Sequence, residues 1–176
     1  MEKEVYVGLG GNIGDSCFMI QSALKEMTDS PHVAGLTCSS FYRTEPISDL
    51  PQNAYTNAVC RFYTRLSAHQ TLDFLQSIEK KLGKREKPKN APRLIDLDLL
   101  FFGNERHDTT ELVVPHPAWR MRLFVLVPLA ELTEKLMVPI SPCSHECVDL
   151  PDLIARFPLE EREGVERMKD RYHDRN

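Results

Sequence analysis

Two aspartates at alternate positions, Asp96 and Asp98, interrupt the otherwise almost wholly apolar residues 94–102. In a β-strand, side chains at i and i+2 leave the same face, about 7 Å apart along the chain, whereas a helix turns them away from each other. Two ionised carboxylates in an apolar surround repel each other, and they are costly to bury without a counter-charge. A hard divalent cation supplies that charge, and oxygen ligands suit Mg²⁺. This stretch therefore predicts a strand that carries a magnesium-binding pair.

A second interpretation of the same stretch is that the aspartates line the solvated face of a half-buried strand. Asp is a poor strand former, and the alternation would also place Leu94 and Leu100 on that face. Short patterns of this kind recur by chance. The stretch alone leaves both interpretations open, and its surroundings in the sequence must decide between them.

Composition limits the class of protein. The chain has 176 residues, of which 41% are hydrophobic and 27% charged, as expected for one globular domain with its own core. A net charge of -4 argues against general electrostatic binding of nucleic acid. The sequence contains no apolar run long enough to span a bilayer, and its start does not resemble a signal peptide. The five cysteines are an odd number scattered along the chain, which suits a reducing compartment. The protein is therefore expected to be cytoplasmic and to bind neither nucleic acid nor a membrane.

The hydrophobic pattern predicts the order β-α-β-β-α-β up to the aspartate strand. Strand patterns cover residues 4–9, 33–42 and 55–64, and helical spacing follows the first and third of them. Ser67 and Gln70 form a capping box that opens the second helix. This order is typical of an α+β fold with an antiparallel sheet and both helices on one face, the ferredoxin-like arrangement.

The rest of the chain is predicted to add short elements to this sheet. Residues 123–126 are predicted as an added strand, and residues 128–133 as a short helix with proline at its start. The last residues are dense in charge and poor in apolar side chains. We therefore predict one domain, residues 1–158, followed by a charged tail, residues 159–176, which is a solvated helix or disordered.

Glycines after the first strand raise one alternative function. Gly8 and Gly10 begin a dinucleotide fingerprint, but the third glycine falls at position 14 and position 13 is Ile. These glycines are better explained by a tight turn and a close backbone approach. The alternatives are therefore a dinucleotide-binding oxidoreductase, which lacks its third glycine, and a ferredoxin-like nucleic-acid-binding module, whose aromatic signature is missing from residues 55–64.

Two further segments supply charge and aromatic surface. The polar loop after the second helix, residues 84–92, is rich in lysine, and together with Arg93 it is suited to neutralising polyphosphate. Residues 114–124 combine a histidine, two arginines and two aromatic side chains between prolines. Metal, phosphate and aromatic sites in one chain indicate a nucleotide and a heteroaromatic substrate.

In its combination of motifs, the chain resembles the 6-hydroxymethyl-7,8-dihydropterin pyrophosphokinases of folate biosynthesis. The resemblance covers nearly everything up to about residue 140. It rests on these motifs, in this order: Gly10-Gly11-Asn12-Ile13-Gly14, Ser40-Phe41-Tyr42-Arg43-Thr44, Tyr55-Thr56-Asn57, Gln76-Ser77-Ile78-Glu79, Pro92-Arg93-Leu94-Ile95-Asp96-Leu97-Asp98, Val114-Pro115-His116-Pro117 and Arg122-Leu123-Phe124.

The resemblance implies transfer of pyrophosphate from ATP to the hydroxymethyl oxygen of the pterin, with release of AMP. It implies small-molecule substrates and a chain that is a monomer or part of a folate-pathway fusion. The implied cofactor is Mg²⁺, two ions held by Asp96 and Asp98. Such paired metals stabilise the attacking and leaving oxygens of an in-line displacement.

The resemblance also implies roles for individual residues. Catalysis would use the aspartate pair with Lys84 and Arg93, although Lys84 stands where the family usually has an arginine and so lacks the bidentate fork. The implied ATP-binding residues are Gln76, Glu79, Arg93, His116 and Arg122. The implied pterin-binding residues are Thr44, Ile47, Tyr55, Asn57 and Phe124.

Overall fold

The computed structural model describes residues 1–46, 51–83 and 94–169. Ile47, Lys84 and Arg93, which were predicted to be functional, lie outside these residues. The elements are, in chain order, β1 (Lys3–Gly11), α1 (Ser16–Thr28), β2 (Ala34–Cys38), β3 (Tyr42–Thr44), β4 (Tyr55–Thr64), α2 (Ala68–Lys81), β5 (Asp96–Phe102), β6 (His107–Asp108), β7 (Val113–Val114), a 3-10 turn (Trp119–Met121), α3 (Leu123–Leu132), β8 (Lys135–Ser141), β9 (Ser144–Asp149), α4 (Leu150–Ala155), α5 (Leu159–Glu163) and β10 (Val165–Arg167).

The main sheet has six antiparallel strands in the order β10-β3-β4-β1-β5, with β2 also paired to β4. The prediction of a mixed fold with an antiparallel sheet and helices is confirmed. The single strand predicted over residues 33–42 is instead two strands, β2 and β3, which pair with successive stretches of β4. Ser39 lies between them, and its hydroxyl accepts a hydrogen bond from the backbone N–H of Val59 at 3.0 Å. The serine therefore satisfies the backbone N–H of Val59 at the point between β2 and β3 where the ladder with β4 is interrupted.

One face of the sheet is closed by the first two helices. Helix α1 begins after Asp15, whose side chain accepts from the N–H of Phe18. Helix α2 begins with the predicted Ser67–Gln70 capping box, in which both reciprocal hydrogen bonds are present. Apolar side chains from both helices share one core with alternate residues of the central strands. We call this side of the sheet the helix face.

The opposite face carries α3, and here two predictions are wrong. Residues 123–126 are not a strand, and the short helix does not begin at Pro128, because α3 runs through both segments with Pro128 inside it. Helix α3 packs in a second core with Tyr6, Leu100 and Trp119. All residues of α3 except the exposed Glu131 are apolar, so its sequence has no period that separates it from a buried strand.

Residues 165–167, near the end of the described part of the chain, join the main sheet. The hairpin of β8 and β9 leads into α4 and α5, and β10 pairs with β3, with Val165 opposite Thr44. The predicted solvated helix or disorder over the tail is therefore wrong for residues 165–167, which extend the sheet. Among the described residues, no helix is long and apolar enough to cross a membrane.

Candidate active site

A cavity of about 790 Å³ opens on the α3 side of the sheet, and we call it the open-face cavity. Its floor is the end of β1. Tyr6 fills this face farther back, whereas Gly8 and Gly10, which lie at the following alternate positions, have no side chains to fill it. The two glycines therefore leave space on one face of a strand whose other face is part of the core.

Gly10 stands between two predicted functional strands. It pairs with Asn57 of β4 on one side and with Asp96 of β5 on the other. A Cβ atom at position 10 would lie 2.7 Å from the side-chain oxygen of Asn57, which is too close for any real contact. The prediction that the glycines permit a close approach is thus met at this position, where the approaching group is a side chain.

The aspartate pair forms one end of the cavity. Asp96 and Asp98 both line it, while Leu97 and Leu99 enter the core of the helix face. The guanidinium of Arg122 lies 4.0 Å from the carboxylate of Asp98, and both side chains are partly exposed to solvent. The strand prediction for the aspartates is therefore confirmed, and two carboxylates and a guanidinium meet at this end.

His116 is hydrogen-bonded to the edge strand β5 and is not one of the residues that line the cavity. Its backbone N–H donates to the carbonyl of Leu100 at 2.9 Å, and its Nδ1 accepts from the N–H of Ala118 at 3.2 Å. A neutral His116 therefore carries its proton on Nε2. Burial lowers the pKa of this imidazole, the charge of Asp98 raises it and that of Arg122 lowers it, with a net decrease. These influences place His116 close to both charged groups.

Predicted pterin-binding residues form the other end. Thr44, Tyr55, Asn57 and Phe124 all line the cavity. The amide nitrogen of Asn57 donates to the hydroxyl of Thr44 at 2.9 Å, which orients the amide in a buried position. The guanidinium of Arg122 lies 5.6 Å from the ring centre of Phe124, so this arginine contacts both ends.

Two predicted ATP-binding residues lie away from the cavity wall on α2. Gln76 is exposed on this helix. Glu79 is buried, and its carboxylate accepts a hydrogen bond from the N–H of Leu97 at 2.7 Å. Among the described strands β5 lies at the edge of the main sheet, and on that side Glu79 satisfies the N–H between the two aspartates.

The sequence comparisons decide the family. A family model described as 7,8-dihydro-6-hydroxymethylpterin-pyrophosphokinase (HPPK) matches residues 6–134. The chain belongs to the HPPK family. A 2-amino-4-hydroxy-6-hydroxymethyldihydropteridine pyrophosphokinase of Pseudomonas aeruginosa is 35% identical over 96% of this chain and 98% of its own length. The protein of the same name from Methylorubrum extorquens is 38% identical over 76% of this chain and 84% of its own length.

Solved structures agree on the fold. A Plasmodium falciparum HPPK-DHPS structure has a TM-score of 0.69 at 12% identity, covering 95% of this chain and 49% of that one. Another HPPK-DHPS structure, in complex with substrates, has a TM-score of 0.56 and covers 76% of this chain and 40% of that one. The HPPK chain described here thus matches less than half the length of these proteins.

The motif comparison missed part of the cavity wall. Phe157, Glu161, Gly164 and Val165 all line the cavity and lie beyond the part of the chain that matches the HPPK model. Phe157 falls in the predicted domain, whereas the other three lie in the tail that was predicted from its charge. An available signal was the apolar character of Val165 within that charged tail.

Proposed function

We propose that this chain transfers a pyrophosphoryl group from ATP to the hydroxymethyl oxygen of 6-hydroxymethyl-7,8-dihydropterin in the open-face cavity, releasing AMP. The observation that carries this proposal is that an aspartate pair and an aromatic, amide-bearing wall share one cavity. Membership of the HPPK family and the names of the Pseudomonas and Methylorubrum relatives support the same reaction in folate biosynthesis. The family match gives no support to a nucleic-acid-binding module or a dinucleotide-binding oxidoreductase.

The acidic end suits Mg²⁺. Within residues 1–46, 51–83 and 94–169, no group of three or more His, Cys, Asp or Glu side chains is arranged to hold a metal ion. Mg²⁺ typically takes one or two carboxylates and completes its shell with water and substrate phosphates, so Asp96 and Asp98 fit this requirement. When bound, the metal would neutralise charge on the triphosphate, and the family resemblance leads us to propose two ions.

The nucleotide end depends on fixed positive charge. The guanidinium of Arg122 lies beside Asp98, so it can bind phosphate oxygens next to the metal-binding carboxylates. His116 can donate from Nε2 towards the same region. Lys84, Arg93 and Gln76 remain proposed ATP contacts from the resemblance. Glu79 remains proposed for the nucleotide site, and its bond to Leu97 indicates that it also holds the strand that carries both aspartates.

The pterin end combines stacking with hydrogen bonding. Tyr55 and Phe124 would hold the flat ring between them, because offset aromatic stacking favours planar heterocycles. The amide of Asn57, oriented by Thr44, would read the ring's donor and acceptor edge. Ile47 remains a proposed pterin contact. In this arrangement the hydroxymethyl group would point along the floor formed by Gly8 and Gly10, towards the aspartates.

The broader predictions are now proposals. The strand order supports a ferredoxin-like sheet in which β2 and β3 together take the place of one strand beside β4, with β10 added next to β3. The boundary at residue 158 is retained as a proposal, although the pairing of β10 with β3 favours assigning residues 165–167 to the sheet. A cytoplasmic location and a monomer or folate-pathway fusion are likewise proposed.

Product analysis tests the function. The protein is mixed with MgATP and the pterin, and nucleotides are separated by chromatography. We expect AMP to accumulate only when the pterin is present. ADP as the sole product, or AMP formation independent of the pterin, would refute the proposal.

A further inference from the structure

The last described segment, residues 157–168, forms one side of the open-face cavity. Phe157 packs against the second core, which Phe124 also contacts. Val165, at the start of β10, lines the same cavity. No part of this segment falls within the region that matches the HPPK model. It is therefore a wall to which neither the family match nor the proposed function assigns a role.

Backbone hydrogen bonds hold this wall against the pterin end. Val165 pairs with Thr44 and Arg167 with Tyr42 in the antiparallel ladder. The pairing continues where the N–H of Met168 donates to the carbonyl of Phe41 at 2.8 Å. Arg162 closes the turn of α5 by donating from Nε to the carbonyl of Phe157 at 3.1 Å. These bonds join the wall to β3, to Phe41 just before β3, and to itself.

The wall is distant from the acidic end. Strands β4 and β1 lie between β3 and β5. Three strand spacings correspond to about 14 Å, and β10 lies one spacing farther out. A side chain on β10 can therefore change the space available beside Thr44 without reaching the aspartates.

We propose that Val165 and Phe157 determine which pterins this site accepts by limiting the width of its pterin end. The inference rests on the proposed function, because it takes the ring to lie beside Thr44. Both side chains are apolar and half-buried, so they offer the ring shape and surface without hydrogen bonds. Val165 sets the boundary on the β3 side, and Phe157 sets it on the α3 side.

Binding measurements on the full chain test this inference. In Val165→Phe the larger ring occupies substrate space, so we expect calorimetry to show about a tenfold or greater loss of affinity for 6-hydroxymethyl-7,8-dihydropterin. Affinity for a non-hydrolysable MgATP analogue should stay within about twofold. Glu166→Phe is the matched control, because it adds the same ring to the opposite face of β10, where both affinities should be retained.

A smaller side chain gives the complementary result. Val165→Ala and Phe157→Ala should accept pterins with added ring methyl groups better, relative to the parent pterin, than the natural chain does. Unchanged selectivity in these variants would overturn the inference, as would equal loss of pterin and nucleotide affinity in Val165→Phe. If Val165→Phe fails to fold in a thermal melt, the alanine variants decide.

The two proposals fail differently. If the natural chain forms AMP with the pterin but the position-165 and position-157 variants keep its selectivity, only the wall inference is wrong. If the natural chain neither binds the pterin nor forms AMP, the proposed function is wrong and the wall inference falls with it.

Discussion

The two faces of the main sheet use the same strands for different purposes. On the helix face, Val5, Val7 and Leu9 of β1 pack into a closed core with α1 and α2. On the other face, Tyr6 is followed by Gly8 and Gly10, and the core gives way to a cavity. The odd-numbered residues of this strand therefore pack in one core, whereas on its other face Tyr6 packs in the second core and only Gly8 and Gly10 leave space for a ligand.

Strand β5 also has two different faces, one apolar and one charged. Leu97 and Leu99 enter the core of the helix face, and Asp96 and Asp98 line the cavity. The buried carboxylate of Glu79 belongs to the helix side and is satisfied by the backbone of Leu97. The contrast teaches that a carboxylate at the closed face is stabilised by the chain itself. The pair at the open face lines the cavity instead, with Arg122 beside Asp98.

The largest effect should come from the open face of β5. We expect Asp96→Ala and Asp98→Ala each to reduce AMP formation by about 100-fold or more, because loss of groups that merely orient metal ligands already costs about 10- to 100-fold. Removing one of two neighbouring carboxylates relieves repulsion, so thermal melts without Mg²⁺ should be unchanged or higher. Asp73→Ala, on the exposed side of α2, is the control. Full activity in both active-site variants would mean that the pair is only a solvated strand face.

A core substitution on the helix face should lower the stability of the protein and leave its affinity for the pterin nearly unchanged. Leu75 lies on the inner side of α2 and is fully buried. We expect Leu75→Ala to lower the free energy of unfolding by about 2–5 kcal/mol through the lost transfer energy and the cavity left behind. At a temperature where the variant is folded, its affinity for the pterin should remain close to that of the natural chain. Met137→Ala, at an exposed position of β8, should change neither quantity measurably; denaturant titration and calorimetry measure both.

The two floor glycines provide the finest comparison. Gly10→Ala places a methyl group 2.7 Å from the side-chain oxygen of Asn57, whereas the methyl group of Gly8→Ala meets Leu100 at an ordinary 3.7 Å. We expect Gly10→Ala to displace the Asn57 amide and to cost about 1–3 kcal/mol in unfolding free energy, with a weaker affinity for the pterin. Gly8→Ala should have the smaller effect on both. Equal pterin affinities in the two variants would show that the position of Asn57 does not matter for binding.

Local patterns predicted much of this molecule. The capping box of α2 depends on Ser67 and Gln70, three residues apart, and it forms as predicted. The alternation of Asp96 and Asp98 with leucines likewise predicted a strand with two chemically distinct faces. The strand of residues 33–42 was predicted as continuous because its interruption depends on a hydrogen bond between Ser39 and Val59 of a different strand.

Elements whose environment is distant in sequence could not be predicted in the same way. The apolar segment of α3 has no usable period, because the sheet covers one side of it and α4 packs on another. The charged segment at β10 resembles solvated chain, since its pairing uses backbone groups and the free edge of β3 rather than its side chains. In both cases the deciding partner is another part of the fold.

The sequence by itself determined the family and the strand that carries the aspartate pair, because motifs and alternation are local properties of the chain. It also predicted the residues that would bind a nucleotide and a pterin. Only the tertiary structure decided that Asn57 and Asp96 flank Gly10, that Glu79 bonds the backbone between the aspartates, and that residues 157–165 form one side of the cavity. The physical reason is that strand pairing and burial join residues far apart in sequence, and no local pattern records which backbone groups will meet.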